Sequence, residues 1–337
     1  MKAWARRVCV AAVALRAVCI PASADADALP GAEADKTPRL ALVISTSEYG
    51  DHRLSNVSNA LNDGRLVAER LVASEFDTVL RENADYESIL TEVDDLADRR
   101  IRLQKNRRVR PLVVVYFSGH GYRAGDNDFI TGSDVNFDSP TESSVSVQWI
   151  MSRLASDSTA IIFVDACRSH LAKAIDNEDP LAKAFAPIED RRERESEQIL
   201  YPTRNWHARN GMYLFATEPG KAAWNSAKRS PHNSPFAQQI GVELNKPGVP
   251  LASQITGIIK GVGTATEEKQ APQPVGSVGT VYLLENEESQ EEMQQKWNRA
   301  RTSATLDDVN RYLDDYPAGP WRSAAIEWLD HNKGESR

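Results

Sequence analysis

The sequence predicts an α/β fold in which helices cover both faces of a largely parallel sheet. Three observations carry that expectation. Unbroken apolar runs of strand length stand at 39–46 (RLALVIST), 111–117 (PLVVVYF) and 160–166 (AIIFVDA), the signature of strands buried on both faces. Stretches of helical period lie between the first two, at 57–73 and 85–103. Strands alternating with helices need crossover connections, which lay consecutive strands parallel.

The chain opens with Lys2, Arg6 and Arg7, the apolar run VCVAAVAL and the small-x-small sequence Ala22-Ser23-Ala24, the pattern of a signal peptide over 1–24. Its apolar run is too short to span a bilayer. Cleavage would remove Lys2, Arg6, Arg7 and Arg16 and no acidic residue, moving the formal charge from −8 to −12, and would also remove Cys9 and Cys19. Cys167 would then be the one cysteine left in an exported chain, periplasmic or secreted. Such a residue is either a small buried hydrophobe or a working thiol. Residues 25–38, rich in Ala, Asp and Pro, read as a flexible lead-in.

The folded domain is expected over 39–285. Val57, Ala60, Leu61, Val67, Leu71 and Val72 fall near one helical face, FDTVL at 76–80 suits a strand, and Ile89, Leu90, Val93 and Leu96 mark a second amphipathic helix. A helix over 145–155 precedes the strand at 160–166. The charged stretch 188–210 has no clear period and reads as a surface insertion or linker. Regular structure resumes with a strand at 211–217, helices near 234–245 and 251–261, and a last strand at 278–284. Acidic residues at 285–292 mark a boundary. Beyond it, 286–337 reads as two or three short helices, most simply a helical hairpin, that would stabilise the domain or bind a protein partner.

In parallel sheets ligands bind beyond the carboxyl ends of the strands. Two apolar runs end there in reactive side chains, His120 after YFSG and Cys167 after FVDA. A thiol attacks a carbonyl carbon as thiolate, and a histidine within hydrogen-bond reach supplies the base. Gly119 and Gly121 allow close backbone approach, and the amides of Gly121 and Cys167 could hold a developing oxyanion. The competing reading makes SGHG a simple turn and Cys167 a buried strand-end residue. The 47 residues separating His120 from Cys167 weigh against it. Lys173, where a CxxxxxR loop needs arginine, removes the cysteine-phosphatase pattern.

These motifs make the chain resemble the caspase-like cysteine peptidases, in particular their bacterial metacaspase-related branch. The likeness rests on ALVI at 41–44, the pair Asn62-Asp63, YFSGHG, DACR, YLFATEPG at 213–220 and NSPFAQQI at 233–240, and covers about 39–284. It implies a caspase-like three-layer α/β/α sandwich with a mostly parallel sheet of about six strands. It also implies His120 as general base and acid, Cys167 as nucleophile, and an acyl-enzyme whose oxyanion rests on the Gly121 and Cys167 amides. In this family the residue two before the nucleophile, here Asp165, lines the pocket for the side chain preceding the scissile bond. A carboxylate there favours Arg or Lys. The alternative is that Asp165 only satisfies backbone groups at a strand end. Bacterial relatives often carry an acidic residue after the PG turn, where this chain has Trp224-Asn225. Glu218 is a candidate for that second charge. Asp63 is a third, with helix capping as its other role.

The negative net charge argues against a general affinity for nucleic acid. The cluster RRIRLQKNRRVR at 99–110 reads as a helix end whose cations suit the dipole. Asp126, Asp128 and Asp134 follow His120 without a recognisable calcium loop and read as a polar active-site loop. Calcium activation, which some metacaspases require, stays open, and no other cofactor is expected. Arg191, Arg192 and Arg194 in the insertion would be targets for a second enzyme molecule with basic preference. The sequence thus predicts an exported cysteine endopeptidase acting on proteins or peptides, after Arg or Lys. The rival is a catalytically silent peptide-binding or scaffold protein of the same fold.

Overall fold

A computed structural model describes residues 36–107, 109–169, 210–226 and 232–332. The expected signal peptide, the lead-in up to residue 35 and all but the last residue of the insertion at 188–210 lie outside the described residues.

The three apolar runs form strands β1 (Arg39–Ser45), β3 (Leu112–Ser118) and β7 (Thr159–Asp165), buried at every position. With β2 (Asp77–Glu82), β8 (Gly211–Phe215) and β9 (Gln273–Ser277) they make a six-stranded sheet in the order β2-β1-β3-β7-β8-β9. All its neighbours are parallel except β9, which runs antiparallel to β8.

Among the described residues five helices cover the two faces: α1 (Ala60–Ala73), α2 (Tyr86–Arg107), α3 (Val147–Leu154), α4 (Pro235–Glu243) and α5 (Leu251–Ala265). Successive strand residues point to opposite faces. Leu40, Leu42 and Ile44 therefore pack with Ile89 and Val93 of α2 and Ile150 of α3. Ala41 and Val43 pack with Val67 of α1, Phe236 of α4 and Ile258 of α5. Burying a large apolar side chain is worth about 1.5–3 kcal/mol, and β1 supplies such residues to both cores.

The register aligns Ser45 with Ser118 and Ser118 with Asp165, so the three central strands finish level. His120 and Cys167, each two residues past such an end, are brought to one edge of the sheet.

Two segments differ from expectation. The last strand is β9 at 273–277, not 278–284. It lies at the exposed edge and carries Pro274, so it has no apolar run to announce it. Residues 278–284 are apolar because Val281, Tyr282 and Leu283 are buried, but they pair with the start of α5: the Leu251 amide donates to the Val281 carbonyl at 2.8 Å. The stretch after His120 is a second, antiparallel sheet of β4 (Gly121–Ala124), β5 (Asn127–Thr131) and β6 (Ser144–Ser146). A two-residue turn with Gly125 at φ +58° joins β4 to β5.

The basic cluster at the end of α2 is partly consumed by the fold. Arg99 pairs with Asp77, and Arg100, 3% exposed, donates to the Arg153 carbonyl at 3.3 Å.

Among the described residues the tail forms three helices, α6 (Glu287–Ser303), α7 (Leu306–Asp315) and α8 (Arg322–Asn332). They enclose a cluster of their own with Trp297, Val309, Tyr312, Trp328 and the incoming Tyr282. Its links to the sheet lie at the strands' starting ends. Thr37 donates to the Ala318 carbonyl at 2.7 Å, and Arg39 holds the segment leading into α6 by donating to the Leu283 carbonyl and pairing with Glu285. No helix among the described residues is long and apolar enough to cross a membrane.

Candidate active site

His120 lies between β3 and β4 and is 6% exposed. Its backbone amide donates to the Tyr49 hydroxyl at 2.8 Å, and its carbonyl accepts from the Thr131 hydroxyl at 2.9 Å. Ring Nε2 lies 2.7 Å from the Ser55 carbonyl. A carbonyl only accepts, so Nε2 carries a proton, and in the neutral ring Nδ1 is the basic nitrogen.

The glycines beside it are required by packing. A Cβ at position 119 would lie 2.8 Å from the Tyr49 hydroxyl, and one at 121 would lie 2.8 Å from both the Ala166 Cβ and the Phe129 carbonyl oxygen. Gly121 thus lets β4 lie directly against the Cys167 loop. In an antiparallel pair alternate amides face the partner strand. Thr131 donates to the His120 carbonyl, whereas the Arg123 amide points the other way, to the Ser169 carbonyl at 3.0 Å. Gly121, two residues before Arg123, therefore turns its N–H to the same side, toward Cys167.

Cys167 is half-buried and lies two residues past the end of β7. The next residue anchors it. Arg168, 3% exposed, holds Asp128 of β5 through two hydrogen bonds at 2.8 and 2.9 Å, donates to Gln273 of β9, and lies 3.8 Å over the Phe215 ring. Arg123 also reaches Asp128, at 2.9 Å.

A cavity of about 310 Å³ opens on these elements, lined by His120, Cys167, Asp63, Asp165, Ser118, Trp224 and others. Asp63 and Asp165 form its acidic side. The Ser234 amide and the Asn233 side chain donate to Asp63, each at 2.9 Å. The hydroxyls of Ser234 and Tyr116 donate to Asp165. Ser234 is the N-cap of α4, with Pro235 at the first helical position, so both carboxylates meet the positive end of that helix.

Burial pushes both carboxyls above the usual carboxylate range, and the charge of Asp165 raises Asp63 further. The hydrogen bonds from Ser234 and its neighbours oppose the rise at each.

Of the residues expected at the site, His120, Cys167, Asp165 and Asp63 line this cavity, and Gly121 flanks it. Asp63 does not cap α1: the N-cap is Asn59, and the Asp63 carboxylate reaches across to Asn233, Ser234 and Ser118. Asp165 does more than satisfy backbone, since two hydroxyls bond its carboxylate. Glu218 is exposed in the turn after β8 and is not among the cavity's lining residues.

The three aspartates after His120 do not converge on one point, although Asp126 and Asp128 share Arg123. Asp128 is buried with Arg168, the Asp134 carboxylate accepts from the Tyr86 amide at 2.8 Å, and Asp126 lies 3.7 Å from Arg123. Among the described residues no three His, Cys, Asp or Glu side chains form a metal-binding group.

Sequence reading missed Tyr49, the Ser55 carbonyl, Ser234 and the Arg168–Asp128 pair. A helix was expected near 234–245. Nothing local shows that this helix points at two aspartates more than sixty residues away. A larger groove of about 800 Å³ lies at the other end of the sheet, between residues 36–39 and α6. It contains neither His120 nor Cys167, and its cations are paired, Lys36 with Glu75 and Arg39 with Glu285.

A family model described as the caspase domain matches residues 38–281. No curated protein matches the chain.

Proposed function

The chain belongs to the caspase-like cysteine peptidases, and on that premise we propose that it is an endopeptidase that cuts after Arg or Lys. The observation that carries the proposal is one cavity lined by His120, Cys167 and two carboxylates, Asp63 and Asp165.

In this reading Nδ1 of His120 takes the proton from Cys167 Sγ, and the thiolate adds to the scissile carbonyl carbon. The carbonyl electron pair moves to oxygen, held by the N–H groups of Gly121 and Cys167. Collapse of the tetrahedral intermediate breaks the C–N bond, and the leaving amine takes the proton back from His120. Water then gives a proton to the same ring and adds to the thioester. Expulsion of Sγ frees the acid product, and the thiol regains its proton. Asp63 and Asp165 receive the cationic side chain before the cut bond through charge-assisted hydrogen bonds. Action outside the cytoplasm belongs to the same proposal, on the strength of the signal-peptide pattern at 1–24.

Peptide reporters carrying Arg, Lys or Asp before the cleavable bond test this reading with wild-type protein and Cys167→Ala, with and without calcium. Cleavage after Arg or Lys that Cys167→Ala abolishes is expected. No Cys167-dependent cleavage of any reporter would make the chain a peptide-binding protein of this fold. Cleavage after Asp alone would overturn the role given to Asp165.

A further inference from the structure

We propose that Tyr49 is the positioning residue of His120, holding the imidazole with its Nδ1 edge toward Cys167. The role rests on the peptidase reading above.

Tyr49 belongs to the loop between β1 and α1, which is pinned along its length. The Ser47 amide donates to the Asn83 side chain at 2.8 Å, Gly50 to the Ser133 carbonyl at 2.8 Å, and Val57 to the Ser47 carbonyl at 2.9 Å. The Tyr49 hydroxyl donates its one proton to the Thr46 carbonyl at 3.1 Å. It therefore meets His120 only as an acceptor, taking the backbone N–H at 2.8 Å. Burial raises its pKa, so the phenol stays neutral and keeps this donor and acceptor pattern.

The aromatic ring of Tyr49 lies against the imidazole, centroids 4.7 Å apart at 41°. The same loop brings the Ser55 carbonyl to Nε2. One loop thus grips the histidine at its main-chain nitrogen, its ring face and its Nε2 edge. Gly119 is the partner feature, because a side chain there would displace the Tyr49 hydroxyl.

Tyr49 is not among the residues lining the cavity, so its loss leaves substrate contacts in place. Misplacing a reacting group by about 1 Å costs up to about 100-fold in rate. Tyr49→Phe keeps the ring and removes the hydroxyl. Its kcat is expected to fall about 5- to 50-fold, within that range, with KM little changed.

The nitrogen NMR signals of the His120 ring, recorded in Cys167→Ala protein without turnover, are expected to report the Nε2–H tautomer, and a mixture once Tyr49→Phe is added. Unchanged kcat and tautomer, or a raised KM at unchanged kcat, would overturn the proposal. If wild-type protein cleaves nothing, the peptidase reading fails by itself, and the tautomer comparison still decides whether Tyr49 orients the ring. If Tyr49→Phe does not fold, hydrogen exchange of the His120 amide in wild-type protein decides. Slow exchange supports the bond to Tyr49, and exchange at the rate of an exposed loop amide overturns it.

Discussion

Asp63 and Asp165 are joined through one residue, Ser234, whose amide N–H donates to the first carboxylate at 2.9 Å and whose hydroxyl donates to the second. Two buried acids held this close resist carrying two charges. Both carboxyls are raised above their unfolded values, so the stability they contribute is present at low pH and lost as pH rises through the folded values. The window runs from the ordinary carboxylate range, about 4, to about 8, where Asp63 is pushed. Thermal melts of substrate-free protein should show stability declining across this window, with the decline flattened in Asp63→Asn. The KM for an arginine reporter should fall over the same range, because a cationic side chain binds the ionised pair. A flat KM from pH 5 to 8 would remove the pair from substrate binding.

Selectivity should follow the cavity. Hydrogen bonds to charged groups are worth about 1.5–3 kcal/mol, so Asp165→Asn should lower kcat/KM for arginine reporters about 10- to 100-fold. Glu218→Gln should leave it unchanged, since Glu218 is exposed in the turn after β8. Parallel kinetics on the two variants check this, and an equal loss in both would return Glu218 to the pocket.

Arg168 and Asp128 are both almost wholly buried and bond each other twice. Removing one partner of a buried pair costs about 3–5 kcal/mol, because the other charge is stranded. Asp128→Asn keeps the shape and should lower the urea midpoint by a corresponding amount. Arg168→Lys should also destabilise, as an ammonium cannot make the two-pronged contact.

Gly121→Ala should cost about 1–3 kcal/mol through overpacking, since its methyl group would meet Ala166 and Phe129 at 2.8 Å. Turnover should suffer as well, because β4 must move away from the Cys167 loop. Denaturant titration and reporter kinetics on the same preparation measure both effects.

Trp297, 5% exposed at the centre of the tail cluster, offers the opposite test. Trp297→Ala should cost about 3–5 kcal/mol and lower the melting temperature. Reporter cleavage well below the melt should be unaffected.

The three central strands were legible in the sequence because each is buried on both faces, and such strands are written as unbroken apolar runs. Their level ends made the meeting of His120 and Cys167 legible too. β9 was hidden for the converse reason: an exposed edge strand with Pro274 carries no apolar signal. Which carboxylate lines the cavity beside Asp165 was the hardest to read. In sequence Glu218 stood ahead of Asp63, whose other role was helix capping, and only the place where α4 begins in space puts Asp63 beside the cavity. Tyr49 and the Arg168–Asp128 pair depend in the same way on how loops close, which local pattern does not record.

The tail helices link to the sheet at the starting ends of its strands, and a seven-residue strand carries the chain about 23 Å from there to the cavity end. The tail helices and the cavity thereby stand at opposite ends of the sheet. Any tether or larger assembly engaging the three helices would leave the mouth facing outward, so anchorage and turnover would not compete for one surface.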